Sequence, residues 1–259
     1  MDWAERIFVR NAKLYELVLE GMSERGEEDA VALSSYLTDF GLKGCKVLDV
    51  PSGIGRVGIP LARLGFKVTG LDISPHLLAV AKKKAAGLGA EAKVTFVKGD
   101  MHALESNFEA ASFDAAICVF TSLGYGSEED DRVFLRGLRK VVRRGGLFLI
   151  SGLRNRDYIS RNPSQNVYEE SSKLLVLDKY KFDPDGSTEE GSWRFYLKHG
   201  ETLRFAGEFP TKVRIYSPEE LSSMLWTTGW TVLKSFDSFT TRGAPTLESP
   251  VHAVAAQAT

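Results

Sequence analysis

Val47-Leu48-Asp49-Val50-Pro51-Ser52-Gly53-Ile54-Gly55-Arg56 is the stretch on which the reading of this chain turns. An apolar run from Cys45 to Val50 ends in a tight glycine turn. An amphipathic segment follows, with Ile59, Leu61 and Leu64 on its apolar side. A strand, a glycine turn and a helix start form a half-site for a nucleotide-like ligand, because glycine lets the backbone approach closely and the first helical turn leaves N–H donors free. Gly53-Ile54-Gly55-Arg56-Val57-Gly58 also has dinucleotide-fingerprint spacing, which by itself does not separate one nucleotide ligand from another.

Outward from that stretch the chain alternates. Strands are expected at 45–50, 67–71, 93–97, 114–119 and 147–151, and helices at 56–64, 75–86 and 128–140. Gly65 ends the first of these helices. Ser74 caps the second, with Pro75 in its first turn, and Ser127 with Asp130 forms a capping box on the third. The alternation implies an α/β chain: a seven-stranded, mostly parallel, doubly wound sheet with helices on both faces, completed by strands at 230–236 and 251–255. Ligands of such sheets sit at the carboxyl ends of the strands.

Ahead of the first strand, residues 2–22 and 27–40 read as two helices, a cover of about residues 1–41. Asp2 and Glu5 are a capping-box pair on the first. Glu27, Glu28 and Asp29 suit the positive end of the second, with Gly41 as its C-cap. Between 152 and 216 the rhythm changes to antiparallel strands at 173–182, 193–198, 202–209 and 212–216. This β insertion is expected to act as a lid or a dimer surface. A helix starts at Ser217-Pro218-Glu219-Glu220, so the insertion interrupts a single 259-residue domain and does not form a second one.

Composition narrows the function classes. A net charge of −1 gives no polyanion bias, and 43% hydrophobic residues are ample for a core. Cys45 and Cys118 fall in expected buried strands and read as core residues, not as a disulfide or metal pair. The charged N-terminus is unlike a secretory signal, and no apolar run is long enough to span a bilayer. A soluble cytoplasmic protein with no membrane partner is expected.

Acidic or glycine features recur at successive strand ends: the glycine turn, Leu71-Asp72-Ile73, Gly99-Asp100-Met101 and Cys118-Val119-Phe120-Thr121. Carried by this set, the sequence resembles the class I S-adenosylmethionine-dependent methyltransferases, closely over 45–155 and in outline over the whole chain. The resemblance implies S-adenosyl-L-methionine as cofactor. Asp49 and the turn through Gly53 and Gly55 would hold its methionine part, Asp72 its ribose hydroxyls, and Ile73 would pack on the adenine. Asp100, with Met101 beside it, would accept from the adenine amino group. Phe120 would lie where the acceptor enters. Pro51 departs from the family, which commonly has glycine there; proline fixes φ and removes a donor, so the first backbone contact is expected to differ. Arg143-Arg144-Gly145-Gly146 looks like the family's turn before the fifth strand, with Arg144 where proline is usual.

A nicotinamide-dependent oxidoreductase is the rival enzyme reading, since Asp72 lies about 20 residues beyond the glycines. Pro51-Ser52 lengthens the turn before the first glycine, however, and Gly99-Asp100-Met101 has no role in that fingerprint. A binding module without turnover is a third reading. Methyl transfer from a sulfonium needs chiefly alignment, so no catalytic residue is assigned. His102 is the candidate base for a nitrogen acceptor, and His76, His199 and His252 are scattered. No His, Cys or Asp grouping has metal-ligand spacing, so no metal is expected. Thr121, Tyr125, Arg154 and Tyr158 are candidate acceptor contacts. Arg154, Arg156 and Arg161 are read as binders of an acceptor carboxylate or phosphate. Tyr15 and Arg25 are further candidates at the methionine end. In the insertion, Lys179, Lys181 and Arg194 are interleaved with Asp178, Asp183 and Glu189, which leaves no net positive field. A small-molecule acceptor is therefore preferred over RNA or protein.

Overall fold

The computed structural model describes residues 3–162 and 166–259. Seven strands form one sheet: β1 (Lys46–Asp49), β2 (Lys67–Asp72), β3 (Val94–Lys98), β4 (Phe113–Val119), β5 (Val142–Arg154), β10 (Trp230–Phe236) and β11 (Val251–Ala258). Their order is β10-β11-β5-β4-β1-β2-β3, parallel from β3 through β5, with β11 antiparallel to both of its neighbours. The chain runs from β1 outward to β3 and then returns to β4 on the other side of β1. The strand order therefore reverses there, and a crevice opens at the carboxyl ends of β1 and β4.

Alternation along β1 places the two halves of the core. Val47 and Leu48 are both fully buried on opposite faces. Val47 joins Leu33, Leu61 and Leu78 from α3 (Ser23–Asp39), α4 (Gly58–Arg63) and α5 (Pro75–Gly87). Leu48 joins Phe134, Leu138 and Leu225 from α6 (Glu128–Val141) and α8 (Pro218–Thr227). The expected helix starts are present. Ser74 accepts from the Leu77 N–H with Pro75 in the first turn, and Ser127/Asp130 and Ser217/Glu220 close full capping boxes.

The N-terminal cover departs from the expectation. In place of one helix over 2–22 there is a short turn α1 (Trp3–Glu5), a π-helical turn over Arg6–Arg10 and then α2 (Ala12–Gly21). Asn11 makes the break: its backbone N–H and its side-chain amide both donate to the Arg6 carbonyl. Asp2 of the expected capping pair lies outside the described residues. The next helix, α3, starts at Ser23 instead of 27, so the Glu27-Glu28-Asp29 acids stand inside it and pair elsewhere. Asp29 meets Arg56 at 3.2 Å and Glu27 meets Arg63 at 3.2 Å. Gly26 permits this close approach, since a Cβ there would lie 2.3 Å from Arg56 Cγ.

The insertion is one antiparallel sheet, β6 (Asn166–Glu170), β7 (Leu174–Asp183), β8 (Thr188–His199) and β9 (Thr202–Arg214), in chain order. The strands expected at 202–209 and 212–216 are one strand. Pro210 does not break it because β9 is the sheet edge, where a missing N–H faces away from any partner strand. A short α7 (Arg156–Arg161) connects β5 to the insertion. The apolar face of the insertion is covered within the chain. Trp193 and Phe195 pack with Ile7, Val18 and Met22 of the N-terminal cover.

Phe195 is fully buried in that packing and has no polar atom to satisfy. Phe195→Ala is expected to cost about 3–5 kcal/mol. Urea unfolding would read this, and a loss under about 1 kcal/mol would show that the cover is not anchored there.

Candidate active site

The turn after β1 is built by hydrogen bonds to one carboxylate. Asp72, at the end of β2, is 5% exposed and takes the Gly53 N–H on Oδ2 and the Ser74 N–H on Oδ1, each at 2.8 Å. Gly53 adopts φ +53°, which turns its N–H toward Asp72. A carboxylate has about four acceptor positions, so these two bonds do not exhaust Asp72. Burial pushes the Asp72 carboxyl up, and the backbone donors Ser74, Gly53 and Ile73 oppose that rise.

Asp49 ends β1 at 3% exposure, and its Oδ2 is buried without a hydrogen-bond partner. Burial pushes this carboxyl up to about 7, against the pull of Arg56 and with a push from Asp72. Ser52 Oγ is a second buried atom without a partner in the same turn. Asp100 opens the turn after β3. Its Oδ1 takes the His102 backbone N–H at 2.9 Å and also meets the His102 ring at 2.9 Å. The candidate base is therefore tethered to the residue expected to read an adenine.

One cavity of about 390 Å³ gathers Asp49, Pro51, Gly53, Asp72, Ile73, Asp100, Met101, His102, Phe120 and Tyr125. Ile73 is 47% exposed toward it, an apolar surface suited to a flat ring. Gly55 does not line it. Gly55 packs on Ile59 and Phe96, and its φ of +75° serves the turn alone. Residues given no role from sequence also line this cavity, among them Phe8, Leu19 and Arg56, and Tyr15 joins them. The Arg56 side chain is 5% exposed, paired with Asp29, and 5.6 Å from the Phe120 ring centroid. Burial pushes the Tyr15 hydroxyl up to about 12, so it stays protonated.

A second cavity, about 740 Å³, contains Thr121, Arg154, Tyr158 and Arg25. Val119, Phe120 and Tyr125 wall both cavities. Phe120 holds φ +72°, a costly conformation for an aromatic residue, at the boundary between them. The arginines expected to bind an anion are already engaged. Arg154 meets Asp178 at 3.1 Å and Glu189 at 3.0 Å, and Arg156 donates to the Pro184 carbonyl. Arg161 stays at the surface. Asp178 and Glu189, counted from sequence only as charge balance, are the residues missed. The signal was present, since both fall on the apolar phase of alternating strands. Among the described residues no three His, Cys, Asp or Glu side chains are grouped to hold a metal ion. No helix of the described chain is long and apolar enough to cross a membrane.

A folded-state pKa above the unfolded value stabilises a protein while the group is protonated. For Asp49 that contribution is present below about pH 4 and is lost as pH rises through about 7. Asp49→Asn is expected to gain stability relative to the unchanged chain across that window and to level off above it. The readout is the difference in Tm between the two proteins against pH. A difference that stays flat would remove the buried charge from this account.

The comparisons with known proteins agree with this geometry. A family profile described as a methyltransferase domain matches residues 47–146. Glycine N-methyltransferase of Rattus norvegicus is 30% identical over 173 residues, 62% of this chain and 58% of that protein, so the match spans little more than half of the relative's length. An S-adenosylmethionine-dependent methyltransferase from Clostridium acetobutylicum ATCC 824 superposes with TM-score 0.75 at 16% identity, covering 89% of this chain and 91% of that one. An amino pentose methyltransferase from Micromonospora echinaspora superposes with TM-score 0.69 at 17% identity, covering 95% and 96%. The chain has the class I S-adenosylmethionine-dependent methyltransferase fold, and its residues 47–146 match the methyltransferase domain profile.

Proposed function

We propose that the chain is an S-adenosylmethionine-dependent methyltransferase that transfers the methyl group in line to a small-molecule acceptor. The observation that carries this reading is the unpartnered Asp49 oxygen, buried beside the glycine turn in a cavity that Asp72 and Asp100 also line. These residues fit the cofactor. Asp49 suits an ammonium, the spare acceptor positions of Asp72 suit a ribose diol, and exposed Ile73 with Asp100 suits an adenine. When bound, S-adenosylmethionine supplies an activated methyl group on a sulfonium.

The protein's own work is alignment and exclusion of water, which together supply up to roughly 7–11 kcal/mol. Phe120, walling both cavities in its strained conformation, sets the boundary across which donor and acceptor meet. The N-terminal cover and the insertion act as a lid over the acceptor. The exposed Leu203 and Phe205 on the insertion offer a surface to a second copy. A second cavity of about 740 Å³ beside the first supports a small acceptor over a polymer. The relatives described above, a glycine N-methyltransferase and an amino pentose methyltransferase, point the same way. A cytoplasmic location accords with two free cysteines.

Asp72→Asn is expected to weaken S-adenosylhomocysteine binding by about 1.5–3 kcal/mol, since hydrogen bonds to a charged acceptor are lost. Calorimetric titration of the folded variant reads this, and unchanged affinity would sink the ribose role. Incubation with methyl-labelled S-adenosylmethionine and a cell extract tests the activity itself. Label in the low-mass fraction supports the small-molecule reading, and label sensitive to ribonuclease or protease replaces it.

A further inference from the structure

The insertion carries two carboxylates into the second cavity on the inward phase of its strands. Asp178 shares its phase with Leu174, Val176 and Phe182 along β7, and Glu189 shares its phase with Trp193 and Phe195 along β8. They are 2% and 3% exposed. The guanidinium of Arg154 serves both, so two buried carboxyl groups share one positive partner. Asp178 Oδ1, Glu189 Oε2 and Thr211 Oγ1 are buried and have no hydrogen-bond partner. The Trp193 indole interacts with the Asp178 carboxyl, which still leaves Oδ1 without a hydrogen-bond partner. Folded chains rarely keep such acceptors dry and unpaired, and these three all line one cavity.

The surroundings match that sign. Arg214 at the same cavity is paired through its terminal nitrogen with Glu128 at 3.4 Å and Glu220 at 3.2 Å, two carboxylates against one guanidinium, although its Nε is buried without a partner. Tyr168 and Trp193 also line the cavity, with ring centroids 4.5 Å apart, and aromatic faces attract cations.

Resting on the methyltransferase reading above, we propose that the acceptor enters as a cation. It is a small molecule whose protonated amine is held by Asp178, Glu189 and Thr211, with its body against Tyr168 and Trp193. This reverses the expectation of an anionic acceptor held by arginines. Burial pushes the Glu189 carboxyl up to about 7, as expected of an acid whose positive partner is shared. Glu189, Asp178 and Thr211 are specificity and positioning residues in this scheme, and the methylated atom is not assigned to the held nitrogen.

The test divides a low-mass metabolite extract of the source cells on a cation-exchange resin at neutral pH and offers each fraction with methyl-labelled S-adenosylmethionine. Label in the retained, cationic fraction supports the proposal. Label confined to the flow-through overturns it, as does no label in any fraction while S-adenosylhomocysteine still binds by calorimetry. If S-adenosylhomocysteine does not bind, the cofactor reading itself has failed, and the proposal falls with it. With the labelled compound purified, Glu189→Gln is expected to raise KM roughly tenfold or more with kcat little changed. Thr211→Val removes an unpartnered hydroxyl, so it should keep Tm while raising KM. A purely structural role predicts a changed Tm with KM unmoved, and an unmoved KM in both variants overturns the assignment.

Discussion

The carboxylate of Asp72 joins the glycine turn after β1 to the first turn of α5 through the Gly53 and Ser74 N–H groups. Two strand ends and a helix start are set relative to one another by that one side chain. The arrangement also leaves part of the carboxylate facing the cavity. Asp49, one strand over, is placed by the same turn but receives too few donors for its charge. The buried acid with spare acceptor capacity and the buried acid with an orphaned oxygen are thus consequences of the same local geometry, and they define where a ligand with donors belongs.

The N-terminal cover and the insertion depend on each other. Neither buries its apolar side alone; Trp193 and Phe195 require Ile7, Val18 and Met22 opposite them. Trp193 also lines the second cavity, where Asp178 and Glu189 are buried on the same inward phase of the insertion. Their dehydration gives the cavity its character, because a solvated acid on a strand is a neutral bystander whereas a buried one demands a partner. Arg154 is consumed by that demand and is not available to an incoming anion.

The sheet was legible in the sequence for a plain reason. Strand ends, caps and breakers are local: Ser74-Pro75, Ser127 with Asp130, and Ser217 with Glu220 act within a few residues and met the expected partners. The acids that line the first cavity, Asp49, Asp72 and Asp100, were legible because each stands at or just beyond a strand end, and strand ends of a parallel sheet share one edge. The break at Asn11 was hidden because an asparagine bonding back to Arg6 looks, in sequence, like any polar residue on a helix. Strand β9 was misread at Pro210 because only the sheet order reveals that this strand is an edge.

What the sequence determined by itself is therefore the doubly wound sheet, its helix starts and the row of acids along its carboxyl edge, all products of short-range periodicity and capping. Tertiary structure alone decided which charged groups line the second cavity. Charge balance along the chain is a sum, and it came out even for the insertion. Charge in a cavity depends on which members of that sum are turned inward and dehydrated. Asp178 and Glu189 are turned inward with one shared guanidinium, while Lys179 and Glu190, their chain neighbours, face water. Alternation offered that phase, but only the packing of the cover against the insertion says which face is the inside.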